Sequence, residues 1–551
     1  MKNAGDPSGI MEVMKRASKG RPITIGFIGG SITQGAIVSD EALCYAARVF
    51  KWWKDSFPNA AVRYVNAGIG ATTSQFGVAR VPYDLLKYDP DFVIVEYSVN
   101  DNDEVLDGFI DNNTNKDRSA LFRETYEGLI RKIMSYRTGS GHTPAILIVH
   151  SVKYDNGRNA EEIHSGIGRH YGIPCISMKE LIYDRLNPGV KADTEADEES
   201  DNKTDAKPDI KAGEEPDNRT DAKSGTEAGA ITNANVNGDS GRDRLVNVKT
   251  EDITQDMLHP NDIGHGIVAG FITDYLSGLK SENENREREE ARKRRKREPD
   301  KAADDPEITG LPPALTDNKY ENVTRYNRLN INPVLNGFTA DDTPVMKPLE
   351  INTCYGTEEI METNDDPVLS SEVRDVFKNG WTASKKGDSI SFEFAGTELS
   401  LMYRKTVNKP APVAYAVIDG DEAGRIRLDA NFDEDWGDKA FMATLMYHGR
   451  ICKDGMFPEE ADGRAGYSAA ADRKNVSSKS EQDDSKTYVP DNENGAKERF
   501  TKEWNGETGS NERFVKERND VNKKHTLTVT VEEADNCISD FYLLNVIGEL
   551  Q

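Results

Sequence analysis

The chain has 551 residues, of which 96 are acidic and 70 are basic, so its formal net charge is −26. This acidity argues against a general phosphate-binding surface and so against nucleic acid as a partner. No apolar run approaches the ~18 residues that a membrane span needs, so we expect no membrane partner either. Only 36% of the residues are hydrophobic, against roughly 45–50% in ordinary globular domains.

The first 190 residues alternate apolar, β-branched runs with amphipathic helical stretches. The apolar runs lie at 23–28, 62–66, 92–99, 145–152 and 173–176. Helical periodicity covers 8–18, 42–57, 118–137 and 161–171, and a last apolar helix is predicted at 264–279. Continuous apolar strands separated by amphipathic helices are typical of a parallel sheet covered on both faces. The sequence therefore predicts an α/β domain.

From about residue 347 the apolar pattern changes to a period of two. Short alternating runs occur at 389–394, 398–403, 413–418, 441–447, 526–531 and 541–547. Alternation of this kind, bounded by turn residues, indicates half-buried strands. The second part of the chain is therefore predicted to be a small β-sandwich of jelly-roll type.

Three polar segments account for much of the charge. Residues 191–250 contain few large aliphatic side chains, so we predict a disordered acidic insertion there. A charged linker begins at 281 within a connecting segment, 281–346, and a polar insertion at 459–522 interrupts the second domain. The predicted domains are thus 1–280 and 347–551.

The N-terminus shows neither the apolar core nor the cleavage site of a secretory signal. The cysteines form no CxxC pair, so neither a zinc site nor a disulfide framework is predicted. They are Cys44, Cys175, Cys354, Cys452 and Cys537. We expect a cytoplasmic protein without a bound metal.

Candidate functional residues follow the ends of three predicted strands. The first segment, IGFIGGSITQG at 25–35, places Ser31 after two glycines at the carboxyl end of a strand. It fits neither the GxGxxG pattern of dinucleotide-binding folds nor a phosphate-binding P-loop. The second, VNAGIGATTS at 65–74, is rich in small residues that leave backbone N–H groups free. The third, VEYSVND, ends in Asn100 and Asp101. Open α/β sheets build their sites at these strand ends.

The fourth segment, DMLHPN at 256–261, precedes the last predicted helix. Pro260 disfavours a helical conformation at His259. An aspartate three residues earlier, Asp256, can reach Nδ1 of the imidazole and fix its tautomer. Such a pair suits general-base catalysis.

Together and in this order, the four segments resemble the SGNH (GDSL) hydrolase superfamily over about residues 20–280, apart from the acidic insertion. The resemblance implies a flavodoxin-like, three-layer α/β/α fold. The usual Gly-Asp-Ser of the family is Gly29-Gly30-Ser31 here, so its aspartate is absent.

The resemblance also implies roles for individual residues. Ser31 would be the nucleophile, His259 the general base and Asp256 the carboxylate that orients it. The oxyanion hole would consist of the backbone N–H of Ser31, the Asn100 amide and the N–H of Gly70, with Ala71 possible in place of Gly70. No metal or cofactor is implied.

An appended β-sandwich makes the chain similar to two-domain bacterial carbohydrate acetylesterases. This similarity implies a serine esterase that removes O-acetyl groups from mannan- or xylan-derived oligosaccharides through an acyl-serine intermediate. Its substrate would be an oligosaccharide or a small molecule, and the oligomeric state stays open. The alternatives are another acyl hydrolase, such as a lysophospholipase or thioesterase, and a non-catalytic carbohydrate-binding protein.

Overall fold

The structure of the protein is a computed structural model. It describes residues 3–102, 119–188, 243–294, 311–341, 379–433, 438–452 and 524–549. The insertion predicted at 459–522 lies outside the described residues, and so does the one at 191–250 except for its last eight residues, 243–250.

Five parallel strands form the sheet of the N-terminal domain, in the order β2-β1-β3-β4-β5. They are β1 Ile23–Gly29, β2 Val62–Gly68, β3 Phe92–Glu96, β4 Ala145–His150 and β5 Cys175–Ser177. All residues of β1, β3, β4 and β5 are buried, which explains their continuous apolar runs. The predicted α/β fold is confirmed. The chain leaves β1 towards β2 on one side and returns to β3 on the other, so the strand order reverses at β1.

Helices cover both faces of this sheet. They are α1 Ser8–Ser18, α2 Ser31–Gln34, α3 Tyr45–Ser56, α4 Ser74–Asp84, α5 Ser119–Ser135, α6 Glu161–His170, α7 Asp184–Leu186, α8 Thr250–Ile253 and α9 Asp262–Arg294. Helices α1, α3 and α9 share one hydrophobic core, and α4, α5 and α6 share the other. Helix α9 continues well beyond its predicted end, and its charged extension carries ion pairs one turn apart, such as Lys280–Glu284. None of the helices within the described residues is long and apolar enough to cross a membrane.

The C-terminal domain is built from antiparallel strands, which confirms the predicted β-sandwich. They are β6 Thr324–Tyr326, β7 Val334–Asn336, β8 Thr339–Asp341, β9 Gly380–Ala383, β10 Ser389–Lys405, β11 Val413–Ile418, β12 Ile426–Asp429, β13 Lys439–Tyr447, β14 Arg450–Ile451, β15 Lys524–Glu533 and β16 Phe541–Glu549. Strands β6 to β8 fall within the predicted connecting segment 281–346, yet they pair with β16, β10 and β9.

The long strand β10 links two parts of this domain. Its first half pairs with β15, and its second half pairs with β13 and β16. The register shifts between Ala395 and Leu399, where Gly396 has a φ of 104°. A left-handed residue at an irregularity lets a strand bend, and the apolar side chains of both halves then enclose one core.

The two domains share apolar surface. Helices α4 and α5 pack against the C-terminal sheet, so that Phe76 and Tyr126 belong to the same cluster as Met402 and Leu544. The segment 311–323 lies across α5, where Glu127 accepts hydrogen bonds from the backbone of Leu315 at 2.6 Å and of Thr316 at 2.8 Å.

Candidate active site

Ser31 is the first residue of α2, immediately after β1, so it lies where the strand order of the sheet reverses. Its Oγ is 2.8 Å from Nε2 of His259. The two residues are 228 positions apart in the chain, and the fold brings them together because α9 packs beside α3 on the same face of the sheet.

His259 lies on a tight turn between α8 and α9. Its Nδ1 is 2.6 Å from Oδ2 of Asp256, and the other carboxylate oxygen of Asp256 accepts the backbone N–H of His259 at 2.7 Å. Met257, between them, has a left-handed φ of 60°. The turn is closed by a β-bridge from Thr254 to Pro260. These bonds hold the imidazole between a carboxylate and a hydroxyl.

Asp256 is adapted to remain charged. Burial raises the pKa of its carboxyl, but the hydrogen bonds and the charge of His259 together lower this pKa by more than burial raises it. The pKa therefore ends well below its ordinary value. The backbone N–H of Leu258, 2.9 Å from Oδ1, acts in the same direction. The carboxylate therefore accepts the Nδ1 proton of His259 throughout the neutral range, which leaves Nε2 as the acceptor that faces Ser31.

Asn100 follows β3 and lies against the turn that carries Ser31. A Cβ atom on Gly30 would come within 2.6 Å of Oδ1 of Asn100. The missing aspartate of the usual Gly-Asp-Ser therefore coincides with a space that the Asn100 amide fills. Among the described residues, neither the Asn100 amide nor the backbone N–H of Ser31 has a hydrogen-bond partner, so both donors remain available.

The loop after β2 offers one further donor. The N–H of Gly70 donates to Oε1 of Gln34 at 2.5 Å. The N–H of Ala71 has no acceptor within the described part of the chain, and Ala71 has a φ of 53°. A Cβ on Gly70 would be 3.6 Å from Cβ of Ser31, so this loop borders Ser31. Of the two alternatives, Ala71 has the available N–H.

The next histidine in the chain, His265, is structural. It is completely buried, and its Nδ1 accepts the backbone N–H of Tyr45 at 3.2 Å. Burial lowers the pKa of His265 to about 3, which keeps the ring neutral. Gly264, before it, has no room for a side chain, because a Cβ there would lie 2.3 Å from the carbonyl oxygen of Ile253. These contacts fix the position of the first turn of α9, which directly follows the His259 turn.

Sequence reasoning missed a buried pair behind Asn100. His164 and His170 are six residues apart, which is not the spacing of metal ligands on one helical face and so predicts ordinary surface residues, but His164 is fully buried and its Nε2 is 3.0 Å from Oδ2 of Asp101. Oδ1 of Asp101 accepts the N–H of Ser74, the first residue of α4, at 2.8 Å. The expectation was wrong for His164, because spacing along a helix does not reveal a partner 63 residues away.

Comparisons with known proteins identify the family of the chain. The model of the GDSL-like lipase/acylhydrolase family matches residues 27–206. The crystal structure of a two-domain esterase active on acetylated mannans matches with 32% sequence identity, 100% coverage of this chain, 97% of that chain and a TM-score of 0.61. The same type of esterase co-crystallised with mannopentaose matches at 32% identity, 100% and 96% coverage and a TM-score of 0.60. No significant match was found among curated protein sequences.

The chain belongs to the GDSL-like lipase/acylhydrolase family. It is thus an ester hydrolase of the SGNH type, as the sequence predicted. Both domains are covered by the match to the two-domain esterase.

Proposed function

We propose that this protein is a serine esterase that removes O-acetyl groups from mannan-derived oligosaccharides. The single observation that carries the proposal is the hydrogen-bonded chain from Ser31 through His259 to Asp256, with distances of 2.8 and 2.6 Å. The choice of substrate rests on the mannan esterase that resembles this chain across both domains.

In the proposed mechanism, Nε2 of His259 takes the Ser31 proton as Oγ attacks the acetyl carbonyl carbon. The negative charge that develops on the carbonyl oxygen is met by the N–H of Ser31, the N–H of Ala71 and the amide of Asn100. Donors fixed in advance at such a position each contribute about 10²–10³ in rate.

The imidazolium of His259 then gives its proton to the sugar oxygen as the bond from that oxygen to the carbonyl carbon breaks; the sugar departs with a free hydroxyl, and Ser31 is left acetylated. A water molecule, deprotonated by the same imidazole, attacks this ester and releases acetate. Ser31 regains its proton, and atoms and charges balance over the two steps.

The test measures acetate release by Ser31→Ala and by the wild type on acetylated manno-oligosaccharides. We expect Ser31→Ala to lose at least about 10³-fold in kcat without a change in melting temperature. Ser18→Ala, at an exposed serine of α1, is the matched control and should keep full activity. Wild-type rates in Ser31→Ala would refute the assignment.

The choice of substrate is tested on the wild type with a panel of compounds. Faster acetate release from manno- than from xylo-oligosaccharides supports the proposal, and the reverse order contradicts it. Preferential hydrolysis of acyl-CoA or lysolipid would indicate a thioesterase or lysophospholipase instead. Binding of oligosaccharides without turnover of any ester would identify a carbohydrate-binding protein.

A further inference from the structure

Gln34 is a buried amide beside the nucleophile that the proposed mechanism does not use. It lies three residues after Ser31 in α2, on the same side of the helix, and only 3% of it is exposed. Its Oε1 accepts the N–H of Gly70 at 2.5 Å. A Cβ on Gly70 would lie 2.9 Å from this oxygen, so the glycine allows the amide to approach the loop closely.

The nitrogen end of the Gln34 amide makes no stabilising hydrogen bond with the described residues. Nε2 of Gln34 is buried and has no hydrogen-bond partner among the described residues. Burying a donor without a partner is unfavourable, and an apolar side chain of similar length would avoid that cost. The contact that distinguishes glutamine from such a side chain is the bond from Oε1 to Gly70.

This bond determines which N–H of the loop stays without an acceptor. Since the Gly70 N–H is already donated, the following N–H, that of Ala71, remains without an acceptor. Ala71 has the left-handed conformation, which is unfavourable for a residue with a Cβ. The loop keeps this conformation because it is held on both sides, at Gly70 by Gln34 and at Ser74 by Asp101.

We propose that Gln34 is a positioning residue, whose Oε1 holds Gly70 so that the Ala71 N–H is presented to the oxyanion. It acts through Ala71 and does not itself touch the substrate. The inference rests on the proposed function, because it requires a negative charge to develop on a carbonyl oxygen attacked by Ser31.

The experiment compares Gln34→Met and Gln34→Glu with the wild type, using p-nitrophenyl acetate. Methionine fills the same space without an acceptor, so we expect kcat to fall about 10–100-fold while KM changes less than about threefold. The melting temperature should stay equal or rise, because the unpartnered Nε2 is gone.

Glutamate retains the acceptor but can carry a charge next to the oxyanion. We expect Gln34→Glu to be more active than Gln34→Met, and its kcat relative to the wild type to increase as the pH is lowered and the carboxyl becomes neutral. A residue that only packs would not show this pH dependence. If Gln34→Met does not fold, the pH profile of Gln34→Glu decides alone.

Gln75→Met is the matched control. Gln75 is also a buried amide, but its Nε2 donates to Thr444 of the C-terminal domain at 2.8 Å, so its loss should affect stability and leave kcat on the small ester unchanged. Wild-type kcat in Gln34→Met, a change confined to KM, or equal activity of both Gln34 variants at every pH would overturn the inference. If Ser31→Ala were active, the proposed function itself would fail, whereas an inactive Ser31→Ala with an unaffected Gln34→Met would refute only the role of Gln34.

Discussion

At the scale of single residues, the proposed mechanism depends on the charge of Asp256, which would keep His259 competent as a base. The carboxylate binds Nδ1 at 2.6 Å and its pKa lies well below the ordinary value. Since this pKa is depressed, the stabilisation that the charged carboxylate gives is present above the ordinary aspartate pKa and is lost only as the pH falls through the lowered value. Protonation of Asp256 therefore does not limit activity near neutral pH.

We expect Asp256→Asn to reduce kcat by about 10²–10⁴-fold, because an amide cannot stabilise the imidazolium and can reverse the tautomer of His259. The pH dependence of kcat between pH 5 and 8, compared with the wild type, measures the effect. Asp252→Asn, on the neighbouring helix α8, is the control and should retain kcat. A variant Asp256→Asn with wild-type kcat across this range would show that His259 does not need the carboxylate.

At the scale of elements, three loops from β1, β2 and β3 converge and a buried pair ties two of them together. Asp101 receives the N–H of Ser74 from the start of α4 and contacts His164 of α6 at 3.0 Å. The His164 ring stacks on Tyr126 of α5, with ring centroids 3.6 Å apart. Asp101 directly follows Asn100, so α4, α5 and α6 all support the segment that presents the Asn100 amide.

We expect His164→Phe to lower the free energy of unfolding by about 1–3 kcal/mol, because the substitution keeps a ring on Tyr126 but leaves an oxygen of Asp101 buried without its donor. The kcat on p-nitrophenyl acetate should fall as well, since Asn100 and the loop 70–74 lose a common support. Thermal denaturation and esterase assays measure both effects. His142→Phe, at an exposed position, should be neutral, and an unchanged melting temperature in His164→Phe would contradict the prediction.

The strands of the first domain could be predicted from their continuous apolar runs, whereas Ser31, Asn100, Asp256 and His259 were predicted from the resemblance of their segments to a known family. The sequence did not reveal Gln34 as a partner of Gly70 or His164 as a partner of Asp101. Those contacts join residues 36 and 63 positions apart, and they depend on how loops and helices pack. The choice between Gly70 and Ala71 is of the same kind, since it follows from which N–H Gln34 occupies.

At the scale of the whole molecule, buried acidic groups lie where the domains meet. Glu398 of β10 is 2% exposed, and burial raises its pKa to about 7, although His448 acts in the opposite direction. His448 is also 2.8 Å from Glu124 of α5. Burial lowers the pKa of His448, but the two glutamates together raise this pKa by more than burial lowers it, so that it ends above its ordinary value. The group therefore binds protons more tightly in the folded protein, and Glu124 and Tyr320 are the other ionisable neighbours of Glu398.

A raised carboxyl pKa means that the folded protein binds more protons than the unfolded chain between about pH 4.5 and 7. The melting temperature should therefore decrease as the pH rises through this window, and Glu398→Gln should weaken the decrease. Glu96, whose pKa burial also raises to about 7, maintains part of the slope. Melting curves at intervals from pH 5 to 8 measure it. Glu393→Gln, on an exposed position of the same strand, should leave the slope unchanged, and an equal slope in Glu398→Gln would argue against this linkage.

The segment 311–323 affects where the chain can be cut into stable fragments. It precedes the strands of the second domain, yet it lies on the first, where Tyr320 is buried against Gly128 and the Glu127 carboxylate is satisfied by Leu315 and Thr316. A catalytic fragment that stopped at the end of α9 would uncover the aromatic surface around Phe76 and Tyr126, and a contiguous exposed apolar patch of that kind favours aggregation. The two domains therefore differ in architecture, but the first depends on the second to cover its apolar core. A stable fragment that contains the active site has to include both.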